Sequence, residues 1–332
     1  MSKYLLYPGC SMERSSRPYL DSTMAIRQDL GLEFEEVDDW NCCGATEYWS
    51  VARVPAYALV GRNLALASKQ VDGTKTLVAG CSACYLNLAK TDSYMGEDAK
   101  LKGSVNEALA AGGLSYEPGS VEVRHLLDIL YNDVGLESIR DKVVRPLKGL
   151  RVAPYYGCMI VRPDPEGRFD DPEYPQAMDK LLKALGAEVV DYPLKTHCCG
   201  GHMTQISEST AYELIHRLIY AADQYRADIM VTLCPMCQMN LDAFQGDVNR
   251  HFNTKYHMPV LYFTQLIGLA LGHKPEELGI GKEFVDSAGA LAMIGVEVPE
   301  PEKTRSRRRK DDPSLPMPQP LEKSEPQNEE VA

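Results

Sequence analysis

The ten cysteines of this 332-residue chain form two copies of one pattern, and no cysteine is left over. Each copy has a single cysteine, an adjacent pair followed by glycine, and a Cys-x-x-Cys pair. Five thiols exceed the four ligands of a tetrahedral zinc site, and an odd number strands one thiol if disulfides form within a copy. A polynuclear iron–sulfur cluster is the simplest centre that uses all five, so the pattern predicts two equivalent clusters. The predicted ligands are Cys10, Cys42, Cys43, Cys81 and Cys84 in the first copy and Cys158, Cys198, Cys199, Cys234 and Cys237 in the second.

The cysteine pattern belongs to a longer internal repeat. Matching cysteines are 148, 156 and 153 residues apart, and both Cys-x-x-Cys segments, at 81–88 and 234–241, end in Asn-Leu. A repeat of this length is a duplicated domain, because solenoid units have periods of about 20–50 residues. We therefore predict two similar domains, at 1–147 and 148–290.

Short apolar strands alternate with helical patterns in each half of the chain. The predicted strands are 4–7, 33–37, 76–79, 150–155, 188–192 and 229–233, and the predicted helices are 17–30, 51–68, 175–185 and 208–225. This alternation favours an α/β fold in which helices cover both faces of short parallel sheets. It also places every cysteine group just after the carboxyl end of a strand, at the edge where open α/β sheets bind ligands.

Glycines stand beside the predicted ligands in both copies. Gly44 and Gly200 follow the adjacent cysteines, where they permit positive φ and a close approach of the backbone to a cluster. Gly9 and Gly157 precede the first cysteine of each copy, and we assign all four glycines to the cluster sites. Zinc in one half remains an alternative, because four of its cysteines could form a closed tetrahedral site.

The composition argues against several classes of protein. A net charge of −12 and a pI near 5.1 are untypical of a general nucleic-acid binder. The N-terminus lacks the pattern of a signal peptide, and the most apolar segment, 260–271, is too short to span a bilayer. We therefore expect a cytoplasmic protein without a membrane span. We predict a disordered tail at 291–332, because from residue 299 onward the chain is rich in proline and charge.

The two cysteine patterns resemble the duplicated CCG domain, the cysteine-rich module of the B subunit of heterodisulfide reductase. The resemblance covers residues 3–285, and the segment 123–135 is also similar to that protein. Related modules occur in iron–sulfur subunits of glycolate, lactate, glycerol-3-phosphate and some succinate oxidoreductases. The sequence lacks the Cys-x-x-Cys-x-x-Cys-x-x-x-Cys-Pro run of ferredoxins, which some relatives carry. This difference favours a separate catalytic subunit whose partner carries the ferredoxin-type clusters.

The resemblance implies two pseudo-symmetric, Rossmann-like CCG domains, each holding a noncubane 4Fe–4S cluster. A disulfide would enter between the clusters and be split, with each sulfur binding an iron of one cluster. Electrons would arrive one at a time through a small ferredoxin-like iron–sulfur subunit, supplied by a flavin-binding subunit. This scheme explains the duplication, because a disulfide has two sulfurs and takes up two electrons.

Two histidines near the second Cys-Cys-Gly are candidate proton donors. His197 and His202 could protonate a leaving thiolate, because histidine titrates near neutral pH. The alternative for His197 is a purely structural contact with the cysteine loop. Lys195 and Arg162 could attract an anionic substrate, although a solvated side chain is the commoner case.

Three functions are compatible with the sequence. The first is a catalytic subunit acting on a disulfide or a thiol-bound sulfur, in either direction of the reaction. The second is an electron-transfer subunit that passes electrons from a flavin dehydrogenase to quinone and has no substrate of its own. The third is a structural zinc protein, which the count of five cysteines in each copy disfavours.

Overall fold

Two four-stranded sheets, one in each half of the chain, form the framework of the protein. A computed structural model describes residues 2–45, 48–70, 75–162 and 170–298. The strands are β1 (Ser2–Tyr7), β2 (Leu32–Glu36), β3 (Thr76–Ala79) and β4 (Glu122–His125), then β5 (Arg151–Tyr155), β6 (Glu188–Val189), β7 (Ile229–Thr232) and β8 (Val260–Tyr262). All neighbouring strands are parallel, in the equivalent orders β2-β1-β3-β4 and β6-β5-β7-β8. The predicted α/β fold with two repeated parallel sheets is confirmed.

Helices connect the strands and cover the sheets. Those of the first half are α1 (Gly9–Glu13), α2 (Arg17–Ile26), α3 (Tyr48–Val51), α4 (Arg53–Lys69), α5 (Ser82–Glu97), α6 (Ala99–Ala110), α7 (Leu126–Asp128) and α8 (Leu136–Asp141), with a π-helical segment, Ile129–Gly135, between the last two. Those of the second half are α9 (Ala177–Ala184), α10 (Met203–Ile206), α11 (Glu208–Gln224), α12 (Pro235–Ala243), α13 (Gln245–Phe252), α14 (Phe263–Ala270) and α15 (Ala288–Ala292). Within the described ranges, no helix combines the length and the apolar character that a membrane crossing requires.

The central strands are buried on both faces, as parallel strands between helical layers usually are. In β1, Tyr4 and Leu6 belong to one hydrophobic cluster, whereas Leu5 and Tyr7 belong to another. Side chains alternate across a strand, so this segment of four consecutive buried residues supplies both layers of the core. The same alternation recurs in β5, where Val152 and Ala153 enter opposite clusters.

The fourth strand of each sheet was not predicted from the sequence. Strand β4 has only four residues, and its sequence, Glu-Val-Arg-His, lacks an apolar run. Strand β8 has three residues and continues directly into α14, so its apolar residues look like part of one helical segment. Both are edge strands, and their pairing with β3 and β7 selects the extended conformation.

The two halves pack against each other through α2 and α14. The Tyr19 and Tyr262 rings stack with a centroid distance of 4.4 Å and an interplanar angle of 8°. One turn further on, the buried Ser22 and Thr264 hydroxyl oxygens are 2.6 Å apart. A polar contact of this kind inside an apolar layer fixes the register of the two helices, because neither hydroxyl has water as an alternative partner.

The folded part of the chain extends past the domain boundary predicted at residue 290. Leu291 and Val296 are buried in the core cluster that contains α9 and α14. The first residues of the predicted tail are therefore anchored to the core by these two apolar side chains. The remainder of that prediction, 299–332, lies outside the described residues.

Two helical glycines provide a matched test of this packing. A Cβ on Gly268 of α14 would lie 2.3 Å from a methyl carbon of Leu278, which is itself buried. A Cβ on Gly103 of α6 would meet nothing within 4 Å. We expect Gly268→Ala to lower the free energy of unfolding by about 1–3 kcal/mol through overpacking. Gly103→Ala should raise it by up to about 1 kcal/mol through helix propensity. Urea unfolding measures both changes, and equal shifts of one sign would contradict the packing.

Candidate functional site

The cysteine groups of each half meet at the carboxyl edge of its sheet. In the first half Cys10 lies in α1 after β1, the pair at 42–43 follows β2, and Cys81 follows β3. In the second half the groups follow β5, β6 and β7 in the same way. In each sheet the strand order changes direction between two adjacent strands, β1 and β3 in the first half and β5 and β7 in the second. Open α/β sheets bind their ligands at such a point. The sheet therefore brings together thiols that are more than thirty residues apart in sequence.

The thiols form close pairs within each half. The Sγ–Sγ distances are 3.4 Å for Cys10–Cys42, 3.5 Å for Cys43–Cys84 and 3.6 Å for Cys199–Cys237. All ten cysteines are unbridged. Among the described residues, no three side chains of cysteine, histidine, aspartate or glutamate form a set suited to a single metal ion.

The two halves also touch through their cysteines. The Cys81 and Cys234 thiols, one from each half, lie close enough to shift each other's pKa, raising that of Cys81 and lowering that of Cys234. Each is the N-cap of a helix, α5 and α12 respectively. The backbone N–H groups at such a terminus favour negative charge on the sulfur.

A glycine lies against a cysteine sulfur in each half because no other residue fits. Gly9 has φ +69°, and a Cβ there would lie 2.9 Å from the Cys84 sulfur. Gly157 has φ +68°, and its Cβ would lie 3.0 Å from the Cys237 sulfur. A side chain at either position would be strained and would also displace a sulfur. Gly44 and Gly200 likewise adopt positive φ, +75° and +96°, at the turn after the paired cysteines.

Tyrosines at the ends of β1 and β5 hold the Cys-Cys segments. The Tyr7 hydroxyl donates to the Asn41 carbonyl at 2.7 Å, and the Tyr155 hydroxyl donates to the His197 carbonyl at 2.6 Å. Both acceptors immediately precede the paired cysteines. Each sheet is therefore tied by one buried side chain to the loop that carries two of its thiols.

Asparagines three residues after each Cys-x-x-Cys hold the other side of the same loops. The Asn87 amide donates to the carbonyls of Cys43 and Ala45, at 3.2 and 2.6 Å. The Asn240 amide donates to the carbonyls of Cys199 and Gly201, at 3.2 and 2.8 Å. The two asparagines are equivalent in the repeat, and both position the loop.

The pKa values of the thiols are shifted because the thiols lie close to one another. A hydrogen bond with Cys42, together with burial, raises the pKa of the Cys10 thiol. In the second half the hydrogen bond with Cys158 lowers the pKa of Cys198 to about 2 and raises that of Cys158. One thiol of each pair keeps its proton because adjacent like charges oppose ionisation. A bound cationic centre would remove that penalty and release the protons.

Several buried hydroxyls at the cysteine sites lack a partner among the residues that the structure describes. The hydroxyls of Ser82, Tyr192 and Thr232 are buried there without a hydrogen bond. Ser82 lies between Cys81 and Cys84, and Thr232 is two residues before Cys234. An unsatisfied buried hydroxyl costs about 1–3 kcal/mol, so such groups call for an acceptor beyond those that the described residues supply.

The candidate polar residues of the second half occupy different environments. His197 is exposed beside the exposed Cys198, and His202 is half-buried at the start of α10. Arg162 donates to the Thr196 carbonyl at 3.0 Å and so helps to hold the same loop. Whether either histidine transfers protons stays a prediction.

Lys195 is buried and does not face solvent, so it cannot attract a substrate from solution. Its Nζ lies 3.1 Å from the Asp179 carboxylate, and their side chains are 2% and 4% exposed. The Tyr156 hydroxyl donates to the same carboxylate at 2.6 Å. The Lys195 carbonyl accepts from the amides of Tyr156 and Gly157, at 2.9 and 3.1 Å. This ion pair therefore anchors the strand end that leads to Cys158.

Two residues at the junction of the halves were not singled out from the sequence as site residues. His125, the last residue of β4, lies in the segment 123–135 that carries the family resemblance, so a signal for it existed. Tyr19 of α2 has no local signal, because its contacts are made with residues far along the chain.

Comparison with known proteins agrees with this geometry. The family model of the CCG cysteine-rich domain matches residues 4–89 and 152–242. The 8-methylmenaquinol:fumarate reductase membrane anchor subunit of Wolinella succinogenes is 35% identical over 285 residues, which cover 86% of this chain and 98% of the relative. The B subunit of the ferredoxin:CoB-CoM heterodisulfide reductase of Methanosarcina mazei is 31% identical over 297 residues, which cover 89% of this chain and 97% of the relative.

One solved structure supports the fold. A crystal structure of a hypothetical protein from Helicobacter pylori matches 86% of this chain with a TM-score of 0.68. The sequences are 15% identical, so the match concerns the fold alone. The chain spans 52% of the length of that protein.

The role of the buried ion pair can be tested by measuring the stability of the protein. Lys195→Met should lower the free energy of unfolding by about 3–5 kcal/mol, because it leaves the Asp179 carboxylate buried without its cation. The double variant Lys195→Met/Asp179→Leu should recover most of this loss. Arg17→Met, which breaks the exposed Arg17–Asp21 pair, is the control and should cost at most about 1 kcal/mol. A Lys195→Met loss no larger than the control, in urea unfolding, would contradict a buried anchoring role.

Proposed function

Because the chain belongs to the CCG cysteine-rich domain family, we propose that it is the catalytic iron–sulfur subunit of a heterodisulfide-reductase-like complex. Its substrate would be a disulfide or a thiol-bound sulfur compound, cleaved or formed between two clusters. The observation that carries the proposal is the pair of matching five-thiol groups on one chain. A disulfide has two sulfurs and takes up two electrons, and the chain offers one group for each sulfur.

The residues of each half fit a noncubane 4Fe–4S cluster as the bound group. Five thiols supply one ligand more than zinc can use, which disfavours the alternative of one cluster and one zinc ion. Gly9 and Gly157 have no Cβ and therefore leave room for a ligand sulfur beside them. The buried hydroxyls of Ser82 and Tyr192 lack acceptors within the described residues, and cluster sulfurs would provide them.

The two edges of each thiol group differ in their exposure to solvent. Cys10, Cys42 and Cys198 are exposed, whereas Cys81 and Cys234 are buried at the junction of the halves. We propose that the exposed edge is the one that substrate reaches, and that the buried edge is shielded from water. When bound, the clusters would supply the two electrons and the iron sites for sulfur.

Cleavage of the substrate requires protons as well as electrons. Breaking one S–S bond consumes two electrons and two protons and yields two thiols. We propose His197 and His202 as proton donors, because both lie beside the second Cys-Cys-Gly and an imidazole side chain can act as a general acid. The electrons would come from a small ferredoxin-like iron–sulfur subunit and, before that, a flavin-binding subunit, with the whole complex in the cytoplasm.

A second candidate function is favoured by one relative. The Wolinella succinogenes protein is named as a subunit of a fumarate reductase that uses 8-methylmenaquinol. By analogy, the present chain would transfer electrons between a flavin dehydrogenase and quinone, without a sulfur substrate. The same clusters would serve this role, so only their response to thiols separates the two functions.

Metal content and thiol response test the proposal. Protein purified without oxygen should contain about eight iron atoms and no zinc per chain, as two 4Fe–4S clusters require. Under oxidising conditions, candidate thiols should produce a new paramagnetic signal in the EPR spectrum. Eight irons that no thiol affects would favour electron transfer to quinone. Four irons with one zinc would contradict two equivalent sites, and zinc alone would contradict the proposal altogether.

Matched cysteine variants assign the clusters to the halves. Cys43→Ala and Cys199→Ala remove equivalent buried thiols from the first and second half. Each should lower the iron content by about half, since each removes one ligand from one cluster. The thiol-induced signal should survive in at most one of them. Full iron content in either variant would show that the altered cysteine is not a ligand.

A further inference from the structure

One side chain connects the two cysteine turns at the junction of the halves. The Tyr19 hydroxyl lies 2.9 Å from the Gly80 carbonyl and 3.3 Å from the Leu233 carbonyl. Gly80 immediately precedes Cys81, and Leu233 immediately precedes Cys234. A single donor is thus shared between the backbones of both halves, directly beside the thiols that meet across the junction.

The position of Tyr19 is fixed on every side. It is fully buried, and its ring lies between the stacked Tyr262 ring and the edge of Phe263, 6.0 Å away. A Cβ on Gly80 would lie 2.7 Å from the Met12 sulfur and 3.5 Å from the Tyr19 ring. The tight contact of this turn is therefore with Met12, and the Tyr19 ring lies one methyl group away from Gly80.

A second buried donor faces the same two carbonyls. His125 is fully buried, its Nδ1 accepts from the Leu127 amide at 3.0 Å, and burial lowers its pKa to about 4. The neutral ring therefore carries its proton on Nε2. That nitrogen is near the carbonyls of Gly80 and Leu233 but completes no hydrogen bond within the described residues. The Tyr19 hydroxyl is thus the group that joins the two turns.

Resting on the two-cluster function proposed above, we propose that Tyr19 is a positioning residue that sets the separation between the two clusters. It acts through the carbonyls of Gly80 and Leu233, which fix where Cys81 and Cys234 stand. Two centres that handle the two ends of one substrate must be held at one spacing. Loss of the shared hydroxyl should change that spacing without removing any cluster ligand.

The matched variants are Tyr19→Phe and Tyr262→Phe. Each removes one hydroxyl from one of two stacked, buried rings, so ring packing is retained in both. The Tyr262 hydroxyl donates to the Gln238 side chain at 3.4 Å and, among the described residues, makes no hydrogen bond to the Gly80 or Leu233 carbonyl. A general effect of losing a buried hydroxyl would therefore appear in both variants, and an effect on cluster spacing in Tyr19→Phe alone.

The measurements are iron content, the magnetic interaction between the two clusters in the EPR spectrum, and steady-state kinetics with a disulfide. Tyr19→Phe should keep the wild-type iron content, alter the cluster–cluster interaction, and lower kcat about fivefold at unchanged KM, the equivalent of one neutral hydrogen bond. Tyr262→Phe should match wild type in all three.

Each other outcome is decisive. Identical EPR spectra for both variants and wild type would overturn the positioning role and leave the proposed function intact. Loss of iron or of folding in Tyr19→Phe alone would show that the hydroxyl serves assembly, which also overturns it. Wild-type protein without two clusters would overturn the proposed function, and the positioning role with it. An altered interaction in Tyr19→Phe together with clusters blind to thiols would support the positioning role and refute the disulfide chemistry.

Discussion

The fold has to hold ten thiols in two groups without letting them oxidise or repel one another, and the rest of the site follows from that constraint. Adjacent thiolates in a buried site are strongly unfavourable, so the chain alone accommodates them only partly protonated. Several independent contacts therefore fix the backbone around the sulfurs. In each half a tyrosine, an asparagine and a glycine with positive φ restrain the loops that carry the sulfurs. Such pre-organisation removes ordering cost from the binding of a cluster.

Much of this arrangement was predictable because it depends on local patterns. The cysteine spacing and the alternation of short strands with helices place the thiols after strand ends, and parallel pairing brings strand ends together. The equivalence of Asn87 and Asn240 was also visible as a repeat. Each asparagine can anchor its loop because the start of its helix lies close to that loop.

The parts that escaped prediction depend on contacts between the halves. Tyr19 looks like an ordinary core residue in the sequence, since its acceptors at Gly80 and Leu233 are 61 and 214 residues away. Lys195 looked like a candidate for binding anions, yet a carboxylate sixteen residues earlier neutralises it inside the core. The burial of Leu291 and Val296 was missed for a similar reason: a few apolar residues beside a charged tail have a partner only in the folded protein.

The two thiol groups contain equivalent cysteines but do not have the same surroundings. Before the first Cys-Cys, the loop is held by Arg62, whose half-buried side chain donates to Asp39 and Asn41. Before the second, the anchor is the buried pair of Lys195 and Asp179. Among the described residues the unpartnered hydroxyls also differ, because the serine within the first Cys-x-x-Cys is a proline in the second. Hydrogen bonds and nearby charge tune the potential of a thiolate-bound cluster, so equal ligand sets in these unequal environments need not have equal potentials. A duplicated site that had stayed symmetrical could not distinguish the two ends of an unsymmetrical disulfide. Under the proposed function, the differences between these halves would give the chain a physical means of doing so.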